Sequence, residues 1–164
     1  MVAVIPGSYD PITLGHVDII ERAAKKFDRV IVAVMNNDSA KHDTTLSSKT
    51  YMFDMDKRLE FVKLSISHVE NVEVVSSPGM LIDLFDSVGA DVIVKGVRTE
   101  VDFEYEMKHA RWNKAHNDRV ETLFLPASEN LLSVSSTSVR ELILKRDWDK
   151  LEGILSKNVI NELK

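Results

Sequence analysis

VAVIPGSYDPITLGHVDIIERAAKKFDRVIVAVM, residues 2–35, decides the fold. VAVI (2–5) and VIVAVM (30–35) are short and continuously apolar, the pattern of strands buried on both faces. Between them Val17, Ile20, Ala24 and Phe27 recur at helical spacing. Strand, helix and strand make a βαβ unit, and such crossovers are right-handed. Beyond it, NVEVVS (71–76), DVIVK (91–95) and RVETLFL (119–125) predict three more strands. Leu59, Val62, Ile66 and Val69 mark a helix before the first of these, and Leu81, Leu84, Phe85 and Val88 one before the second. Phe103, Met107 and Ala110 mark a helix before the last. The rhythm predicts one α/β domain over residues 1–164: a Rossmann-like, five-stranded parallel sheet with helices on both faces. Val139–Leu142–Ile143 and Leu151–Ile154–Leu155 predict two short helices that close the chain.

The 164 residues, 44% apolar, suffice for one sizeable core. No apolar run is long enough to span a membrane, and MVAVIPG lacks the basic and apolar regions of a secretory signal. Cysteine is absent, which excludes disulfides and thiol chemistry and fits a cytoplasmic location. A net charge of −5 argues against broad nucleic-acid binding and leaves room for a local basic pocket.

In GSYDPITLGH (7–16) a turn-rich loop joins the first strand to the first helix. Gly7 permits a tight turn and close approach of a ligand. Asp10, ahead of Pro11, is suited to bonding nearby amides. His16 falls in the first helical turn, where free amides and the positive dipole end favour phosphate. A neutral imidazole there is a hydrogen-bond donor to a phosphoryl oxygen; the plainer reading is an exposed residue at a helix start. The loop has neither GxGxxG spacing nor a terminal GK[ST], which argues against nicotinamide dehydrogenases and P-loop ATPases. NNDSAKHDTTLSSKT (36–50) is polar and reads as an exposed loop leaving the sheet's carboxyl edge. At that edge parallel sheets bind ligands.

VKGVRTEVDFEYEMKHARWNK (94–114) runs from a strand end into a helix. Lys95 and Arg98 flank Gly96 in what reads as a loop, two cations suited to phosphate oxygens but equally at home in solvent. Glu106 and Asn113, seven apart, share one helical face, with His109 near it. Phe103 and Tyr105 read as packing residues, and Trp112 as core or interface. In LLSVSSTSVRE (131–141), Ser135, Ser136 and Thr137 precede an apolar-periodic helix. They suit a helix cap whose amides can meet phosphate.

Together these stretches resemble a known family. GSYDPITLGH, with Thr13-Leu14-Gly15-His16 at its core, resembles the first signature of the T/HxGH nucleotidyltransferase superfamily. KGVRTEVDFEYE is similar to the corresponding segment of bacterial phosphopantetheine adenylyltransferases, and the likeness runs over nearly the whole chain. The resemblance implies adenylyl transfer from ATP to 4′-phosphopantetheine, giving dephospho-coenzyme A and pyrophosphate. It implies ATP contacts at Ser8, Tyr9, His16, Gly96, Val97, Arg98 and Glu106, and along Leu131, Leu132, Ser133, Val134, Ser135, Ser136 and Thr137. It implies acceptor contacts at Ser8, Lys49, Leu81 and Lys95, with His16 and Lys49 on the transferring phosphoryl group. Lys49 is aligned through MFDMDKR (52–58), whereas counting from the second strand points to Lys41; the difference implies an insertion. Leu131 stands where relatives often carry an aromatic residue near adenine. Magnesium carried mainly by ATP, a homohexamer and feedback by coenzyme A are further implications, with no protein metal cage, nucleic acid or membrane involved. Arg140 is a possible further phosphate contact or a solvent-facing residue. A nicotinamide mononucleotide adenylyltransferase and a non-catalytic nucleotide-binding regulator are the alternatives.

Overall fold

The computed structural model describes residues 1–36 and 50–164. Five parallel strands form one sheet: β1 (Val2–Gly7), β2 (Arg29–Met35), β3 (Val72–Ser77), β4 (Val92–Val97) and β5 (Thr122–Pro126). Their order is β3-β2-β1-β4-β5. The chain therefore builds outward from β1 to β3, then returns to the other side of β1 to lay down β4 and β5. Between β1 and β4 the winding reverses, and the loops leaving their carboxyl ends part to open a crevice.

The period-two geometry of strands divides the core into two layers. Ala3, Ile5, Val30, Val32, Val34, Val92 and Val94 face one way, into the larger core with α1 (Leu14–Ala24) and α2 (Met55–Ser65). The C-terminal helices α5 (Ser136–Lys145), α6 (Trp148–Leu151) and α7 (Lys157–Leu163) contribute Val139, Leu151, Val159 and Ile160 to that same side. Val4, Ile31, Ala33 and Ile93 face the other way, against Phe85 of α3 (Leu81–Ser87). Apolar residues are buried on both faces of β1, β2 and β4, which is why these strands read as unbroken apolar runs.

Three expectations need correction. Gly96 and Val97 are not in a loop: with Lys95, already read as strand, they form the end of β4, paired with Phe124, Leu125 and Pro126. Phe103 and Tyr105, expected to pack, are 40% and 45% exposed on α4 (Glu100–His116), whose one buried residue is Asn113. Leu151–Ile154–Leu155 does not form a helix: α6 ends at Leu151, and the closing helix follows at Lys157–Leu163. Leu151 and Leu155 are nonetheless buried, so the apolar spacing reported burial correctly and conformation wrongly.

Gly96 lies directly against Ile19 of α1. A Cβ there would sit 2.8 Å from Ile19 Cγ1, in a side chain that is itself buried. Gly96→Ala is expected to cost about 1–3 kcal/mol, the usual penalty of overpacking. Denaturant unfolding with an unchanged midpoint would contradict this.

Candidate functional site

A cleft of about 850 Å³ opens at the carboxyl edge over β1 and β4. Its walls are the loop after β1, the turn before α3, the inner face of α4 and the start of α5. That volume suits a ligand of nucleotide size. Among the described residues, Lys95, Arg98, Lys108 and Arg140 line it against two carboxylates, Asp102 and Glu106. An acidic chain thus carries a locally basic cleft, as an anionic ligand requires.

Thr13 is the N-cap of α1, and its backbone N–H donates to Nδ1 of His16 at 3.0 Å. With Nδ1 accepting, the neutral ring carries its proton on Nε2, so the imidazole is built as a donor. The ring of Tyr9 meets it edge-on at 5.2 Å between centroids. Tyr9 is buried, with φ 48° and its hydroxyl donating to the Ile5 carbonyl at 2.9 Å. Burial pushes its phenol above the ordinary range, so it holds its proton at neutral pH. Gly7 makes room for this ring: a Cβ would lie 2.8 Å from Tyr9 Cζ. The tight turn therefore serves an internal side chain.

Asp10 reaches further than its own loop. It is fully buried, and its carboxylate accepts from the amides of Met52 and Phe53, each at 2.9 Å. Arg140 donates to the Asp10 carbonyl at 2.8 Å and to Thr137 Oγ1 at 3.1 Å. Arg140 thus lines the cleft while tying α5 to the first loop, and it does not simply face solvent. Arg58, 2% exposed, donates to the carbonyl of Ser8 at 2.7 Å and to Asn36 Oδ1 at 2.6 Å, and stacks on Tyr51. Nothing in the local sequence announces these long-range partners.

On the other wall, the Lys95 ammonium lies 3.0 Å from Glu106 Oε2, and His109 Nδ1 lies 3.8 Å from the same oxygen. Oε2 is buried without a well-aligned hydrogen bond, so charge rather than hydrogen-bond geometry holds it. Burial alone would raise the Glu106 carboxyl; the His109 ring and the Lys95 ammonium outweigh it and keep it below the ordinary range. Arg98 closes on Asp102 through Nε at 2.9 Å and donates to the Val134 carbonyl at 3.0 Å, linking α4 to the serine-rich segment. The i,i+4 spacing of Arg98 and Asp102 carries that pairing in the sequence, but the residues alone did not single out Asp102. Ser135 caps α5 by accepting from Ser138 N at 3.1 Å, and Ser136 donates to the Pro11 carbonyl at 2.8 Å.

The cleft brings together Ser8, Tyr9, His16, Leu81, Lys95, Gly96, Arg98, Glu106, Leu131, Val134, Ser135, Ser136 and Thr137. Val97, Leu132 and Ser133 are not among its lining: the Val97 carbonyl accepts from Ala127 N at 2.8 Å, and Leu132 and Ser133 are exposed. Lys49 and the alternative Lys41 lie outside the described residues. Asn36, Tyr105, His109 and Trp112 line the cleft without having been assigned to it.

The cytidylyltransferase-like family model matches residues 4–142. A phosphopantetheine adenylyltransferase of Staphylococcus haemolyticus is 43% identical over 140 residues, covering 85% of this chain and 81% of the relative. One from Clostridium botulinum is 39% identical over 162 residues, covering 99% and 95%. Among solved structures, a putative nicotinate-nucleotide adenylyltransferase from Vibrio parahaemolyticus superposes with a TM-score of 0.70 at 18% identity, covering 99% of this chain and 97% of its own. A lipopolysaccharide core biosynthesis protein from Thermoplasma volcanium superposes at 0.53 with 19% identity, covering 78% and 96%; at such identities these two speak for the fold alone. The long matches to curated relatives, over a chain that carries the same signatures around one cleft, place it by descent: it belongs to the cytidylyltransferase-like family and, within it, to the phosphopantetheine adenylyltransferases.

Proposed function

We propose that this chain transfers the adenylyl group of ATP to 4′-phosphopantetheine, releasing pyrophosphate and dephospho-coenzyme A, the penultimate step of coenzyme A biosynthesis. Family membership carries the reading, and the chemistry of the cleft supports it. An oxygen of the acceptor phosphate attacks the α-phosphorus, and the bond from that phosphorus to the bridging oxygen of pyrophosphate breaks. The nucleophile is already anionic near neutral pH, so alignment and charge stabilisation do the catalytic work. His16, presenting Nε2–H, and Lys49 stabilise the transferring phosphoryl group. Arg98 and the backbone amides of the first turn of α5 hold the leaving phosphates; the hydroxyls of Ser135 and Ser136 are engaged by the fold. Ser8 stands between the substrates, Lys95 and Leu81 serve the acceptor, and Glu106 and Leu131 serve ATP. Leu131 offers apolar contact to the base in place of aromatic stacking.

A magnesium ion carried by ATP would supply charge neutralisation at its phosphates. The cleft's own donors do not fit a resident ion: Asp102 is closed on Arg98 and Glu106 faces Lys95, and among the described residues no three metal-ligating side chains cluster. We further propose a cytoplasmic homohexamer subject to feedback by coenzyme A; among the described residues no helix is long and apolar enough to cross a membrane. Exposed Val101, Phe103 and Leu123 on α4 and β5 suit a surface covered by another copy.

The test is pyrophosphate release from ATP with 4′-phosphopantetheine, nicotinamide mononucleotide or glycerol phosphate as acceptor. The expected result is a kcat/KM for phosphopantetheine at least about 100-fold above the others, the discrimination of a site built for one polar ligand. Preference for the mononucleotide, or nucleotide binding with no pyrophosphate from any acceptor, would reject it.

A further inference from the structure

Glu106 has two basic neighbours and one buried oxygen for both. Lys95 approaches Oε2 to 3.0 Å from β4, and His109 approaches it to 3.8 Å from one turn along α4. Lys95, His109 and Glu106 all line the cleft, and their side chains are 18%, 34% and 20% exposed. The Tyr105 ring stands edge-on against the imidazole at 4.4 Å and fixes its plane. Turning Lys95 wholly to an incoming phosphate would take the nearest cation away from the buried Oε2 of Glu106, which is unfavourable. The imidazole is already placed to take over.

We propose that His109 is a positioning residue: by taking a proton and replacing Lys95 as the partner of Glu106, it frees the Lys95 ammonium for the acceptor's phosphate. This rests on the reading of the cleft as the site of adenylyl transfer to phosphopantetheine. The step is a proton exchange with solvent. A proton goes from buffer to the ring nitrogen of neutral His109, Lys95 keeps its own, and no covalent bond to substrate changes. Acceptor binding therefore takes up protons at a pH where free His109 is neutral, because the bound phosphate raises the imidazole's proton affinity indirectly, by withdrawing Lys95 from Glu106. Among the described residues, the other ionisable groups lining the cleft with it are Lys95 on β4, Tyr105, Glu106 and Lys108 on α4, and Tyr9, His16 and Arg140 elsewhere in the cleft; Arg98 and Asp102 are closed on each other. His16 and the phosphate itself are the competing proton acceptors. Working near pH 8 keeps the phosphate, whose second pKa is about 6, a dianion before and after binding. The contribution of His16 remains in every His109 variant and cancels in the comparison.

The experiment is calorimetric titration of 4′-phosphopantetheine into the full chain near pH 8, in two buffers of different ionisation enthalpy, with melting temperature and steady-state kinetics in parallel. The parent protein should take up a sizeable fraction of one proton. His109→Gln should lose that uptake and raise the acceptor KM about twofold near pH 8, the linkage expected for roughly half a proton taken up there, with a larger rise at lower pH and with kcat and melting temperature little changed. His109→Lys, permanently charged, should restore the KM without restoring the uptake. Equal proton uptake in parent and His109→Gln would overturn the proposal, as would an unchanged KM. No binding or turnover of phosphopantetheine by the parent would overturn the functional reading and this inference with it, whereas turnover with unaltered proton stoichiometry in the variant overturns this inference alone.

Discussion

His16→Ala is expected to lower single-turnover adenylyl transfer by at least about 100-fold, about 2.7 kcal/mol of barrier, with ATP affinity largely kept. Thr13 N–H donates to Nδ1 at 3.0 Å, which leaves the neutral ring with its proton on Nε2. Tyr9, edge-on at 5.2 Å, restricts the ring plane, so the donor is aimed before substrate arrives. A preorganised donor of this kind is most valuable where charge develops during transfer, and removing one costs about 100- to 1,000-fold. A ground-state contact would instead raise KM and leave saturated turnover nearly intact. The same substitution removes the acceptor for the Thr13 amide, so a loss of about 1 kcal/mol of stability accompanies it, as for a lost helix cap. Saturating ATP and phosphopantetheine, with melting temperature followed alongside, separates the two effects. Near-parental chemistry in the folded variant would remove His16 from the reaction, and a rate loss that tracks unfolding would make it a scaffold residue.

The sheet was legible because burial on both faces leaves unbroken apolar runs in β1, β2 and β4, and the sequence limits of those strands agree with the observed ones to within two residues. The edge strands are only partly buried, and β5 starts at Thr122 rather than at residue 119. The apolar residues of α4 misled in a different way. Phe103 pairs edge-on with Phe124 at 5.0 Å and still stands 40% exposed, because among the described residues nothing further covers that side of α4 and β5. Spacing reports an apolar stripe but not which partner covers it. In the cleft, Lys95, Arg98 and Glu106 could be singled out from their segment, but the charge pairing that holds them could not. Lys95 was expected at a phosphate, and its observed partner is Glu106. Arg58 and Asp10 were the least legible. Their partners lie 50 and 42 residues away in the chain, and no local spacing rule reaches that far.

Asp10→Ala should destabilise the fold by about 3–5 kcal/mol, the usual cost of breaking a buried charge network by removing one partner. In a chain of this size that corresponds to a fall in melting temperature on the order of 10 °C. The carboxylate is fully buried and accepts from two backbone amides, Met52 and Phe53, that precede α2. Arg140 lies 3.8 Å from the same carboxylate, so alanine would leave two amides short of an acceptor and take the opposing charge from one guanidinium at once. The second consequence is positional. Asp10 holds Met52 and Phe53 against the loop that also carries Ser8, and Phe53 packs edge-on against Phe61 of the core at 5.0 Å. Releasing that tie should raise hydrogen exchange at the amides of residues 52 and 53, while Phe61, buried in α2, keeps its protection. Asp10→Asn retains one acceptor oxygen and no charge, so it should fall between parent and alanine in stability, with one of the two amides still protected. If Asp10→Ala melts within about 2 °C of the parent, less than the loss of even 1 kcal/mol would give, the carboxylate does not hold this rim together. Unchanged exchange at both amides would show that other contacts fix the segment, and Asp10 would then be buried for its backbone carbonyl, which Arg140 holds at 2.8 Å.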